Sequence, residues 1–306
     1  MNIIRMTGGL GNQMFEYALF LKYTAIGIET EIEDFTEYEN RDNARPINLE
    51  RAFGIEYPRA SKEDYYRITD SNPSFFSKVR RKLCGFKANI YYEASPNFDP
   101  EILKKDNSYI CGYFQTDKYF SDIKEEIIRE FSFKSEVKAA GEEILRQSLG
   151  ESYEAFGSFE NVMKNAVGIH IRRGDYLLNE ANYGNICTEE YYDNAVRYYK
   201  ENAGTLFEGE PVFLCFSNDA EWTSKWMEKY VSEGFRMFNV TGTTEDNGYI
   251  DMCLMSKCAH NIIANSSFSW WAAYLNRNPE KKVIAPSKWA NHIEQKDIYT
   301  DYMIVL

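Results

Sequence analysis

Four short apolar segments in the second half of the chain each close on a polar or proline turn, and no other pattern constrains the fold as much. Ala166–Ile171 runs into Arg172-Arg173-Gly174-Asp175, and Val212–Phe216 into Ser217-Asn218-Asp219. His260–Ala264 runs into Asn265-Ser266-Ser267, and Lys282–Ala285 stops at Pro286. Helical patterns fill the spaces between them. Asn218 with Glu221 forms a capping box for a helix through Tyr230. Tyr249–Lys257 sets Ile250, Cys253, Leu254 and Cys258 on one face, and Phe268–Leu275 follows the third strand. Alternation at this length predicts a parallel sheet with helices on both faces.

The first half repeats the theme once. Asn2–Met6 predicts a strand, Thr7-Gly8-Gly9-Leu10-Gly11-Asn12 a loop, and Met14, Phe15, Ala18, Leu19 and Phe20 a helix. Residues 30–110 are polar, rich in Asn, Pro and Tyr, and show no clear period. Residues 117–150 predict helix, with Ile123, Ile127, Ile128 and Phe131 on one stripe. The pattern weakens over Ser148–Lys164, which places a boundary between an N-terminal lobe of residues 1–155 and a C-terminal lobe of residues 156–306. Two such units predict a two-lobed α/β enzyme with a cleft between the lobes.

Net charge of −12 argues against nucleic acid as a partner, because a phosphate backbone needs a basic face. An anion can bind this chain only where basic residues gather locally. No apolar run reaches the length of a membrane span, and no leader pattern precedes the first strand, so a cytoplasmic protein without a transmembrane anchor is expected. The six scattered cysteines form no C-x-x-C pair and are expected to be buried, reduced thiols.

In an open parallel sheet, ligands bind beyond the carboxyl ends of the strands. Arg172, Arg173 and Asp175 follow one such end, Asn218 and Asp219 a second, and Ser266 and Ser267 a third. A guanidinium pair beside a helix start suits a diphosphate, whereas a surface ion pair and a serine cap would account for each feature separately. Asp251 falls in the first turn of its helix. A carboxylate there can accept two hydrogen bonds from guanine, but by position alone it serves the helix dipole equally simply. The Gly8-Gly9-Leu10-Gly11-Asn12-Gln13 loop has Met14 where a dinucleotide fingerprint needs glycine, which disfavours an oxidoreductase. No Asp-x-Asp, no His/Cys ligand cluster and no phosphate-loop lysine motif is present, so no metal is expected. His260 and His292 are expected to be structural, and His170 matters through its closeness to Arg172.

His170-Ile171-Arg172-Arg173-Gly174-Asp175 resembles the H-x-R-R-x-D motif of the α1,2-, α1,6- and protein O-fucosyltransferase superfamily. Gly8-Gly9-Leu10-Gly11-Asn12-Gln13-Met14-Phe15 is similar to the opening of glycosyltransferase family 11, the α-1,2-fucosyltransferases. Gly112-Tyr113-Phe114-Gln115, Phe216-Ser217-Asn218-Asp219, Asn265 to Ala273 and Val283-Ile284-Ala285-Pro286 with Trp289 continue the match in the family's order. The resemblance implies a GT-B-type fold of two Rossmann-like lobes. It also implies GDP-β-L-fucose as donor, a galactose-containing glycan as acceptor, and inverting transfer to the galactose 2-hydroxyl without metal or other cofactor. The C-terminal lobe would hold the donor and the N-terminal lobe, with its glycine loop, the acceptor side.

Carried over by position, Arg172 would stabilise the leaving diphosphate, with Arg173 and His170 shaping the pocket. Asp251 would hold guanine, Ser266, Ser267 and Phe268 would meet the phosphates, and Asn12 would lie near the donor. Asp175 is then a candidate general base, or else the residue that holds Arg172 in place. Rival assignments are transfer of another GDP-sugar, transfer to another hydroxyl, and a non-catalytic carbohydrate-binding protein. The last would be expected to lack the donor residues that this chain retains.

Overall fold

The computed structural model describes residues 1–39, 46–174, 176 and 179–306. The chain divides into two compact units, Met1–Ser132 and Phe133–Leu306. The first holds four parallel strands, β1 (Asn2–Arg5), β2 (Thr30–Glu33), β3 (Ile90–Tyr92) and β4 (Tyr109–Cys111), in the order β2-β1-β4-β3. β1 is central and brings the buried Ile3 and Ile4. The glycine segment after it is shorter as a loop than expected, because the next helix, Leu10–Ala25, begins inside it. Gly8 turns the chain at φ +74°, and a Cβ there would lie 2.6 Å from Asn12 Nδ2. The buried Gln13 then fixes the first helical turn. Its Nε2 lies within 3.2 Å of Gly8 O, Tyr38 Oη and Pro46 O, which share its two hydrogens, and its Oε1 accepts from Asn48 N.

The second unit holds six parallel strands: β5 (Ala166–Ile171), β6 (Val212–Ser217), β7 (Arg236–Val240), β8 (His260–Ile262), β9 (Val283–Ala285) and β10 (Met303–Val305). Their order is β10-β9-β8-β5-β6-β7. Counted within the unit, this is the 3-2-1-4-5-6 order of the doubly wound nucleotide-binding fold, reversing direction between β5 and β8. Tyr191, Tyr192, Val196, Tyr199 and Trp226 pack on one face of this sheet, against Val167, Ile169, Phe213 and Cys215. β7 and the short edge strand β10 were not foreseen, since their few apolar residues carry no clear period.

The boundary lies earlier than residue 155. The helix Ser135–Leu149 belongs to the second unit, where Gly141 lets it approach Leu254 so closely that a Cβ would meet Leu254 Cδ2 at 3.2 Å. The helical stretch foreseen over 117–150 is broken into two short 3-10 turns, Asp117–Tyr119 and Ser121–Ile123, followed by two α-helices, Lys124–Glu130 and Ser135–Leu149. Ile127 and Phe131 of its stripe are buried.

The cap of Ala220–Ser232 also differs from the expectation. Asp219, one residue after Asn218, accepts from Trp222 N at 3.1 Å. Asn218 is engaged elsewhere, as described below. Four of the six cysteines are buried and Cys187 is half-buried, but Cys84 is exposed; all six are free thiols. Among the described residues, no helix is long and apolar enough to cross a membrane.

Candidate active site

The direction reversal between β5 and β8 opens a crevice at the carboxyl ends of those strands, where the loops on either side diverge. The residues after β5 and β8 are the Arg172 and Asn265 segments. Asn218, at the end of β6, accepts from Arg173 N at 2.9 Å and so holds the turn after β5 in place. The turn runs so close to it that a Cβ on Gly174 would lie 2.6 Å from Asn218 Nδ2. Arg173 Nε donates to Asp219 Oδ2 at 3.2 Å, and its guanidinium lies 4.2 Å from the Trp222 ring centre. Held by both, Arg173 is a positioned cation. Arg172 lies 5.7 Å from the Tyr176 ring centre.

Both arginines line a pocket of about 240 Å³ together with Tyr176, Tyr183, Trp222 and Asn265. Tyr176 and Tyr183 stack at 5.2 Å, and Tyr176 Oη donates to Asn265 O at 3.0 Å. Asn265 is the tie of this wall: its Nδ2 donates to Trp289 O at 3.1 Å and its Oδ1 accepts from Cys187 Sγ. Burial pushes the Cys187 thiol up to about 12, which makes it a poor nucleophile at neutral pH.

Ser266 precedes the helix Ser267–Leu275 and forms no side-chain cap to it. The opening N–H groups of that helix point along its axis at the same end of the sheet. Phe268, in its first turn, packs against His170 with ring centres 5.3 Å apart. The edge of the Phe268 ring also lies 4.0 Å from where a Cβ on Gly248 would stand, one residue before the helix Tyr249–Met255 that carries Asp251.

Asp251 Oδ2 accepts from Thr243 Oγ1 at 2.7 Å. Its Oδ1 is enclosed and has no hydrogen-bond partner among the described residues. Burial raises the Asp251 carboxyl to about 7, partly offset by the Thr243 hydrogen bond. A shielded acceptor left open beside a satisfied one is costly unless a ligand supplies donors. Thr243 was invisible to sequence reasoning, since nothing in its neighbourhood links it to Asp251.

The first unit has a reversal of its own, between β1 and β4. The loop after β1 carries Asn12 and the loop after β4 carries Gln115, and Gln115 Nε2 donates to Asn12 Oδ1 at 2.9 Å. Glu93 holds the second loop, accepting from Tyr113 N at 2.7 Å and Phe114 N at 3.0 Å. Phe114 takes φ +51°, a strained conformation for a bulky residue and one that persists where surrounding structure enforces it. Glu16, wholly buried under the glycine turn, accepts from Thr7 N and Oγ1.

Of the residues singled out in the sequence, Arg172, Arg173 and Asn265 meet at one pocket, and His170 and Phe268 meet beside it. Asp251, Ser266 and Ser267 do not line that pocket, and Asn12 belongs to the other unit. Asp175 lies outside the described residues. His260 is structural as expected: its Nδ1 accepts from Lys282 N, so its Nε2 donates to Leu206 O. His292 is exposed. Among the described residues, no group of three or more His, Cys, Asp or Glu side chains is placed to hold a metal.

Two parallel α/β units of this kind make up the GT-B fold. A mutant of Arabidopsis thaliana FUT1 in complex with GDP shares this fold at a TM-score of 0.50 and 13% identity, over 92% of this chain and 69% of that one. The description "Glycosyl transferase family 11" matches residues 86–303, and the chain belongs to that family. It is 30% identical to an alpha-1,2-colitosyltransferase of Escherichia coli, over 94% of this chain and 91% of that protein. To the O-antigen biosynthesis glycosyltransferase WbnK of Escherichia coli it is 31% identical, over 93% of each.

Proposed function

We propose that the protein transfers L-fucose from GDP-β-L-fucose to the 2-hydroxyl of a terminal galactose in a glycan, with inversion and without a metal ion, in the cytoplasm. The observation that carries the donor assignment is Asp251: one oxygen held by Thr243, the other enclosed and without a hydrogen-bond partner among the described residues. Guanine presents two adjacent N–H donors, N1–H and the 2-amino group, which a single carboxylate can accept together. Adenine and uracil do not offer that pair.

The diphosphate then belongs with Arg172 and with the N-terminus of Ser267–Leu275, near Ser266 and Phe268. As the anomeric C–O bond breaks, negative charge grows on the β-phosphate. A fixed guanidinium and helix N–H groups stabilise it without reorganising. The acceptor hydroxyl attacks from the opposite face of the sugar and loses its proton to a carboxylate. Asp175, three residues beyond Arg172 in sequence, either takes that proton or holds Arg172 in place. Near-normal turnover of Asp175→Asn with an activated acceptor would exclude the first role.

A second donor is favoured by one comparison, the relative named as an alpha-1,2-colitosyltransferase. A panel of GDP-sugars with one galactoside acceptor separates the two. The central test is calorimetric titration with GDP, ADP and UDP in EDTA, at about pH 6 and about pH 8. Guanine donors favour the ionised carboxylate, so GDP binds more weakly as pH falls through about 7 and Asp251 takes up a proton. Asp251→Asn removes most of the preference for GDP over ADP and UDP. Equal affinity for the three nucleotides in the parent protein would sink the donor assignment.

A further inference from the structure

The helix Phe75–Cys84 contains no buried residue. Phe75, Phe76, Val79 and Leu83 fall within one arc of about 100° on its surface. Ordinary surface helices turn such a stripe inward. Here it faces solvent: Phe75 is 74% exposed, Phe76 85% and Leu83 79%, and Phe86 just beyond the helix is 74% exposed.

The helix is held from its polar side instead. Asp70 pairs with Arg80 and accepts from Lys87 N, while Arg81 donates to the carbonyls of Asp70 and Asn72. Ser74 caps the N-terminus by accepting from Ser77 N. Polar anchors on one side thus present the aromatic stripe outward on the other.

Charge is equally uneven. Residues 71–92 include Lys78, Arg80, Arg81, Lys82 and Lys87 and no acidic residue, in a chain of net charge −12. Lys78 and Lys82 border the apolar arc on one edge, and both are exposed, as is Lys87. Bulky apolar side chains rimmed by lysines match an anionic bilayer, whose acyl boundary takes the rings and whose headgroups take the ammonium groups.

We propose that Phe75–Cys84, with Phe86 and Lys87, is an interfacial helix that docks the protein on an anionic phospholipid surface. A basic, apolar patch on an otherwise acidic protein also orients it. The remaining surface is repelled from the membrane, so docking occurs through this one face. An enzyme so held works on acceptors presented at the bilayer, where a second dimension of confinement raises their local concentration.

The test is co-sedimentation of the full chain with sucrose-loaded vesicles of phosphatidylglycerol and phosphatidylethanolamine, beside vesicles of phosphatidylcholine alone. Binding to the anionic vesicles is expected, weakening with added salt. Phe75→Ser with Phe76→Ser and Leu83→Ser, and separately Lys78→Glu with Lys82→Glu and Lys87→Glu, each lower partitioning by at least about ten-fold, since one basic residue near such a surface contributes about five-fold. All six side chains are exposed, so both variants keep the parent's far-UV circular dichroism and its turnover of a water-dissolved acceptor. A Phe76→Trp variant adds a direct signal, a blue-shifted emission on anionic vesicles. Failure of the parent to sediment, sedimentation unchanged in both variants, or equal binding to neutral vesicles overturns the proposal. So does a concentration-dependent dimer in sedimentation equilibrium that the serine variant abolishes, because a second copy then covers the stripe.

Discussion

The two direction reversals in the molecule are built alike and charged differently. In the second unit the residues beyond β5 and β8 bring Arg172 and Arg173 to the reversal, with Arg173 fixed by Asp219 and Trp222. In the first unit the residues beyond β1 and β4 bring a glycine turn and the amides of Asn12 and Gln115. The carboxylates there, Glu16 and Glu93, face inward onto backbone N–H groups. Burial raises both, so each resists ionisation as free carboxylates do not. One reversal point therefore carries two guanidinium groups, and the other a rim of side-chain amides.

The contrast breaks most sharply at Arg172. Arg172→Ala should lower turnover by at least ~100-fold, the scale of losing one preorganised donor to developing charge. Turnover within a few-fold of the parent would leave the charged end without its catalytic meaning. The neutral end is tested by Gln13→Leu, which leaves Pro46 O and Asn48 N without the Gln13 amide, while Gly8 O and Tyr38 Oη keep each other. A loss of about 2–3 kcal/mol in unfolding free energy is expected from denaturant titration, because buried polar groups are left unsatisfied. A neutral result would mean that the glycine turn holds its shape unaided.

A smaller effect sharpens the comparison. Asp219→Ala removes the cap of Ala220–Ser232 and the ion partner of Arg173 together, at about 1 kcal/mol of stability for the cap. The half-exposed ion pair adds little to that. The Arg173 contribution should then appear as weaker GDP binding in calorimetry rather than as further instability.

Asp251 adds a pH dependence to the second unit. Its folded carboxyl is raised to about 7, above its unfolded value, so the folded protein holds the extra proton between those limits. The stability this confers is complete below the unfolded value and is lost as pH rises through about 7. Thermal unfolding of Asp251→Asn, which keeps a neutral group there, should gain on the parent as pH rises from about 5 to about 8. Parallel profiles for the two proteins would show that Asp251 is not desolvated in the free enzyme.

The second unit was legible because its strands are buried on both faces, which writes them as continuous apolar runs closed by polar turns. Ala166–Ile171 appears in the structure with the limits its sequence implies. The first unit was not legible over residues 30–110, where strands of three or four residues alternate with short helices and few apolar positions repeat. The helix Phe75–Cys84 shows why pattern alone falls short: its stripe is amphipathic in sequence, yet only the anchoring of Arg80 and Arg81 reveals that the stripe faces outward.

Local sequence determined the end of β5 and the arginines that follow, because burial periodicity and turn chemistry act over a few residues; β8 stops at Ile262, two residues before the end its apolar run implied. Tertiary structure alone decided that β5 and β8 lie side by side and that Thr243 reaches Asp251. It also decided that Asp219 rather than Asn218 caps its helix while Asn218 holds the arginine turn. Each of these joins residues that are distant in the chain or that compete for one partner. Such choices are settled by which hydrogen bonds the packed core can satisfy at once, and no local pattern records them.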